Sequence, residues 1–173
     1  MKRICIIGGS GSGKTTLATN LGKELKYPVY HIDGINYLDN WERRDVEERD
    51  KIILDKIKEK EWIIDGTYLS TLEERLNKAD YIIYLDYSTM SQIKGILGRY
   101  IKHRGEEKEE IPGCKEKMSL DFLIWVLKQR RRNNKQIRER LSKTDQKKIH
   151  IFKNRRQLNN WYEKEFNKKM VIK

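Results

Sequence analysis

The chain has 173 residues, 37% of them apolar and 37% charged. That size supports one domain with a core of its own, and the composition is more charged than an average globular protein. No apolar stretch approaches the roughly 18 residues of a membrane helix, the run that ends at Gly8 is too short for a signal-peptide core, and two cysteines, Cys5 and Cys114, exclude a disulfide scaffold, so the sequence reads as cytoplasmic.

In chain order, Arg3 to Ile7 is a β-branched strand stopped by glycines, and Lys14 to Leu25 is a helix with Leu17 and Leu21 one turn apart. Pro28 to Asp33 reads as a second strand, Val46 to Lys60 as a helix, and Trp62 to Gly66 as a third strand with its turn. A short helix over Ser70 to Ala79 precedes a fourth strand, Tyr81 to Asp86, and a helix from about Ser91 to His103. Arg104 to Lys117 is rich in Gly, Glu and Lys with almost no apolar periodicity and reads as a mobile surface excursion. A long helix from about Leu120 to Leu141, a fifth strand from Lys148 to Phe152 and a helix from Arg156 to Lys168 complete the chain. Strands alternating with helices point to a parallel sheet covered on both faces, with ligands outside the carboxyl ends of the strands.

The net charge of +12 is unevenly placed. Residues 1–86 hold 14 Lys and Arg against 16 Asp and Glu, and the remainder 24 against 10. A C-terminal half of that sign attracts polyanions, nucleic acid among them.

Gly8-Gly9-Ser10-Gly11-Ser12-Gly13-Lys14-Thr15 satisfies G-x-x-x-x-G-K-[ST] between a strand and a helix. Glycines let the backbone wrap phosphate oxygens, Lys14 reaches the β and γ phosphates, Thr15 offers a hydroxyl to Mg²⁺, and Thr16 adds an α-phosphate contact. Asp65, after the third strand, is a second candidate for the Mg²⁺ shell, or simply half of an Asp-Gly turn. Asp33, after the second strand, is a candidate general base, acceptor anchor or outer partner of the metal's ligands, or a helix cap or turn residue before Gly34. His31 beside it reads as a strand-end side chain with a structural hydrogen bond. Tyr37, Trp41, Arg43 and Arg44 mix aromatic and cationic groups suited to a planar anionic acceptor, against the alternative of a solvated face.

On the long helix, Leu120, Ile124 and Leu127 define a stripe that continues through Arg131, Asn134 and Arg138 to Leu141. Arginines on an inward face require an anion. Arg131 and Arg138, with Arg130 behind them, are therefore candidates to clamp the transferring phosphate. Arg99, Lys102 and Arg104, with His103 on the same face, border the excursion and would meet the phosphates if it closed as a lid.

With the loop Gly8 to Thr15, Trp62 to Gly66 and the basic excursion, the chain resembles the adenylate-kinase-like P-loop kinases along essentially its whole length. His31-Ile32-Asp33-Gly34 with Trp41, Ile64-Asp65-Gly66-Thr67-Tyr68, Gly113-Cys114 and Arg130-Arg131-Arg132 are similar to one branch, the DNA topology modulation proteins of FlaR type. The resemblance implies an α/β three-layer P-loop NTPase fold with a five-stranded parallel sheet of order 2-3-1-4-5, in one kinase-like unit over 1–173. It further implies an acceptor-binding segment at about 34–60, a lid at about 100–118, and ATP with Mg²⁺ as cofactors. It also implies that Arg99 stacks on adenine and that Lys153 to Arg156 contact the base. Where adenylate kinases carry an aromatic residue, Pro and Arg for AMP, this chain has Thr67-Tyr68-Leu69, which leaves the acceptor open between a nucleotide and a small metabolite. The function read from the sequence is transfer of the γ-phosphate of ATP·Mg to such an acceptor. The alternative is a nucleotide-dependent DNA-binding regulator that contacts nucleic acid non-specifically through its basic half.

Overall fold

The computed structural model describes residues 2–108, 110–116 and 118–171; the side chains of 129–132 lie outside the described set. Five strands, β1 (Arg3–Gly8), β2 (Val29–His31), β3 (Trp62–Asp65), β4 (Tyr81–Leu85) and β7 (Ile149–Phe152), form one parallel sheet of order β2-β3-β1-β4-β7. This is the order 2-3-1-4-5 among the sheet's own strands. The helices are α1 (Lys14–Leu25), α2 (Ile32–Asn36), α3 (Val46–Lys56), α4 (Leu72–Lys78), α5 (Thr89–His103), α6 (Leu120–Ser142) and α7 (Arg155–Phe166). No helix among the described residues is long and apolar enough to cross a membrane.

The unbroken apolar strands follow from burial on both faces. Cys5, Ile7, Ile64, Ile82 and Tyr84 pack on one side against Ile32, Ile53, Leu72, Leu76, Ile137 and Leu141. Ile4, Ile6, Ile63, Ile83 and Leu85 pack on the other against Leu17, Leu21, Leu158 and Tyr162. Successive residues of one strand thus serve the two layers in turn.

Three expectations are corrected. The second strand ends at His31, and Asp33 lies in the first turn of α2. The excursion is not without regular structure: β5 (Glu107–Lys108) and β6 (Ile111–Lys115) pair antiparallel as a hairpin between α5 and α6. Its buried residues, Ile111 and Cys114, stand three apart across Gly113 at φ 75°, so no alternation betrays the strand. The apolar stripe on α6 is also displaced. Leu120 is 77% exposed and Leu127 51%, while Val126, Ile137 and Leu141 are buried. Ile137 and Leu141, in the C-terminal half of α6, join the core of the sheet.

The hairpin docks on residues 38–41. The Trp41 amide donates to Cys114 Sγ at 3.1 Å, the Cys114 thiol donates to the Leu38 carbonyl at 3.2 Å, and Trp41 Nε1 donates to the Lys115 carbonyl at 3.1 Å. Asn40 and Trp41 both hold positive φ to present this tip. Gly34 admits the hairpin closely: a Cβ there would lie 2.2 Å from the Glu110 carbonyl oxygen.

Candidate active site

The loop from Gly8 to Gly13 crosses from β1 to α1 at the carboxyl edge of the sheet, with Gly11 at φ 71° and Gly13 at φ 89°. Helix α5 presses on it, for a Cβ on Gly9 would sit 2.1 Å from Gln92 Oε1 and one on Gly95 2.1 Å from the Gly11 carbonyl oxygen. Lys14 Nζ donates to the Gly9 carbonyl at 3.0 Å. Burial holds its pKa below the ordinary lysine value, while the charges of Asp33 and Asp65 oppose that shift. Ser12 Oγ is buried in the loop with no hydrogen-bond partner among the described residues. A loop with an orphaned hydroxyl, a desolvated ammonium and a helix N-terminus fits phosphate oxygens. Ser10 and Thr16 line the same cleft.

Thr15 Oγ1 donates to Asp65 Oδ2 at 3.1 Å, and His31 Nδ1 lies 2.7 Å from Asp65 Oδ1. Register explains the meeting, because His31 and Asp65 are paired positions of β2 and β3. Burial works against a charged His31, but the Asp65 hydrogen bond and charge outweigh it and hold its pKa above the usual value. A hydroxyl and a carboxylate this close suit a hard divalent cation such as Mg²⁺, which takes a few protein oxygens and completes its shell with phosphate and water.

Asp33 Oδ1 accepts from the Tyr68 hydroxyl at 2.9 Å. Burial first, and then the Asp33 charge, push the Tyr68 phenol well above its ordinary pKa, so it remains a donor. Arg49, lying 4.8 Å over the Tyr68 ring, is committed to Asp50, Asn36 and Ser70. The segment after β3 is fixed from beneath by Arg75, which donates to the carbonyls of Gly66 at 2.8 Å and Tyr68 at 2.6 Å. Thr67 Oγ1 accepts from the Gly8 amide at 2.9 Å and donates to the Gly8 carbonyl at 2.7 Å, tying this segment to the phosphate loop.

The hairpin side of the cleft carries Arg99, Lys108 and Glu116. Arg99 Nε donates to Glu116 Oε1 at 3.0 Å, and Lys108 Nζ lies 3.4 Å from Glu116 Oε2. Both cations are near enough to Lys14 to help lower its pKa. Arg99, for which the resemblance implied an adenine contact, lines the cleft beside Glu116. Arg138, expected as a clamp, instead pairs with Asp86 at 2.8 Å beside Lys153 and Asn134. The anion that its face required is a carboxylate of the protein. The side chains of Arg130 and Arg131 fall outside the described residues. Of the segment Lys153 to Arg156, Lys153 meets Asp86 and Arg155 Nη2 donates to the Gly11 carbonyl at 3.2 Å. Lys102 and His103 line the cleft, and Arg104 lies over the Tyr100 ring.

Sequence reasoning missed Arg49, Arg75, Lys108 and Glu116, and named Tyr68 as a motif residue without a role. Arg49 sits in the run Glu47-Glu48-Arg49-Asp50, which reads as solvated surface, and Lys108 and Glu116 sit in the excursion without periodicity. Only Arg75 left a signal: it is three residues from Leu72 and one before Leu76, on the apolar side of a short helix.

No protein-family model matches the chain. The fold is similar to that of shikimate kinase from Acinetobacter baumannii in complex with shikimate, with a TM-score of 0.57 and 18% identity over 96% of this chain and 94% of that one. It is likewise similar to shikimate kinase from Bacteroides thetaiotaomicron, with a TM-score of 0.54 and 17% identity over 96% and 99%. An uncharacterized protein from Eubacterium ventriosum gives a TM-score of 0.51 and 18% identity over the same shares. These likenesses establish the P-loop kinase fold. In sequence, the chain is 30% identical over 129 residues to the uncharacterized protein YqaC of Bacillus subtilis, covering 72% of this chain and 71% of that one. A P-loop kinase fold with this identity and coverage means that the chain belongs to the family of Bacillus subtilis YqaC.

Proposed function

We propose that the protein is a kinase that transfers the γ-phosphate of ATP·Mg to a hydroxyl of a small acceptor. The observation that carries this reading is Asp33: a carboxylate fixed by Tyr68, facing Lys14 across the cleft. A phosphate acceptor would be repelled by that carboxylate, whereas a hydroxyl can give it a hydrogen bond and then its proton. Thr15 and Asp65 are the residues to hold Mg²⁺, with His31 orienting Asp65. When bound, that ion would supply positive charge to offset that of the transferring phosphate. Lys14 holds the β and γ oxygens, Asp33 orients the acceptor oxygen and takes its proton, and the docked hairpin keeps water out.

The test is ADP production from ATP·Mg across hydroxyl metabolites, nucleosides and nucleoside monophosphates, with a duplex DNA lane. One hydroxyl acceptor should raise turnover far above the water background. Asp33→Asn should then lower kcat by about 100-fold or more with ATP affinity kept, and Lys14→Ala should remove transfer while the far-ultraviolet circular dichroism spectrum is unchanged. Stimulation by nucleoside monophosphates alone would replace the hydroxyl reading with phosphate transfer to a nucleotide. Stimulation by DNA alone would favour the regulatory alternative suggested by the likeness to DNA topology modulation proteins.

A further inference from the structure

Glu116 is a buried carboxylate with two cationic partners and no place in the chemistry above. It closes the base of the hairpin, where its amide donates to the Glu106 carbonyl at 2.8 Å. Its side chain is only 4% exposed, and its two oxygens divide between Arg99 and Lys108. The Arg99 bond uses Nε, and both Nη groups, the fork that grips phosphate in two-pronged fashion, make no hydrogen bond among the described residues. Lys108 is held on three sides: Glu116, Glu110 at 3.5 Å, and the Trp41 ring at 5.3 Å. Both cations line the same cleft as Lys14, whose ammonium has the Gly9 carbonyl as its one hydrogen-bond partner among the described residues. Glu116 and Glu110 balance the charges of Arg99 and Lys108, while the Arg99 Nη groups and the Lys14 ammonium are left to meet a further anion in the cleft.

We infer that Glu116 is a positioning residue: it aims Arg99 and Lys108 at the terminal phosphate of a nucleoside triphosphate seated on the loop Gly8 to Thr15. The pair forms a clamp with one arm on α5 and the other on the hairpin, and it is complete only while the hairpin rests on residues 38–41. Glu116 touches no phosphate. It holds two flexible side chains in one geometry before the nucleotide arrives, so the ordering cost is met in folding rather than in binding. The inference rests on the kinase reading of the cleft, and it adds the residues that distinguish a triphosphate from a diphosphate.

Calorimetric titration of the full chain with Mg·ADP and with the Mg complex of a β,γ-imido analogue of ATP separates the two. The native chain should prefer the triphosphate analogue. Glu116→Gln should cut that preference about tenfold, the size of one charge-assisted hydrogen bond, with ADP affinity changing less. Glu116→Asp, which keeps the charge one methylene short, should recover part of it. A preference unchanged in Glu116→Gln overturns the inference, as does one that rises, which would make Glu116 a competitor for the cations. Equal loss for both nucleotides with a lowered melting temperature would mark a purely structural role and also overturns it. If Glu116→Gln does not fold, Lys108→Met takes its place and must cut the same preference. Failure of the native chain to bind either nucleotide would remove the kinase reading itself, a result distinct from all of these.

Discussion

Arg75 is fully buried, and its hydrogen bonds run to the carbonyl oxygens of Gly66, Tyr68 and Thr71, with the Cys5 thiol nearby. Burial lowers its pKa, and the guanidinium remains charged because carbonyl dipoles converge on it. Arg75→Leu would leave several buried carbonyls without donors, and the cost of such groups, about 1–3 kcal/mol each, exceeds what the added apolar surface returns. Denaturant unfolding should show a loss of about 3 kcal/mol or more. Because Thr67 and Tyr68 hang on the same loop, phosphate affinity should fall along with stability. At this scale the sequence is legible where a residue's role is dictated by its neighbours in the chain. Lys14, Thr15 and the loop glycines announce themselves by spacing, whereas Arg75 and Glu116 owe their roles to groups far along the chain that only folding brings near. Arg138 shows the converse: the helical stripe reads it as inward, yet its side chain is 62% exposed and reaches Asp86, 52 positions away.

Helix α5 shows how an element can be tuned by one missing side chain. Gly95 lies inside the helix, where alanine would ordinarily be favoured by about 1 kcal/mol. Here a Cβ would meet the Gly11 carbonyl oxygen at 2.1 Å and Arg155 Nη2 at 2.5 Å, and backbone cannot give way as a flexible side chain can. The clash outweighs the propensity. Gly95→Ala should therefore push α5 off the phosphate loop, and titration with Mg·ADP should show affinity reduced by about tenfold or more. β1, β3 and β4 were readable because burial on both faces leaves a continuous apolar run, and α1 because Leu17 and Leu21 stand one turn apart on its buried side. The hairpin was not, since two buried residues three apart across a left-handed glycine match neither the helical nor the strand period. The N-terminal half of α6 misled for a related reason: its apolar side chains are real, but no sheet lies beneath them.

Across the whole molecule, acid stability should depend on a carboxylate outside the chemistry. Burial would raise the Asp86 pKa, but hydrogen bonds from Lys153 and Arg138 outweigh that and hold it below its ordinary value of 3.8. A carboxylate depressed in the folded state stabilises above its unfolded pKa, and that contribution is lost as pH falls through the folded value. The melting temperature of the native chain should thus fall between about pH 4 and pH 2. In Asp86→Asn this part of the slope should be absent and the melting temperature at pH 7 already lower. A native slope retained in the variant would assign the acid sensitivity to the Arg3–Asp80 pair, whose 2.6 Å contact joins β1 to the start of β4.

If the cleft turns over as proposed, the contact between the hairpin and residues 38–41 would also govern how the products depart. The hairpin rests on the very segment that borders the acceptor side, through Cys114, Trp41 and Lys115. On the proposed reading the two halves of the cleft would share a gate, and whatever freed the nucleotide would uncover the other product in the same motion. Turnover at saturating substrate should then be paced by that one opening, and each product should slow the escape of the other.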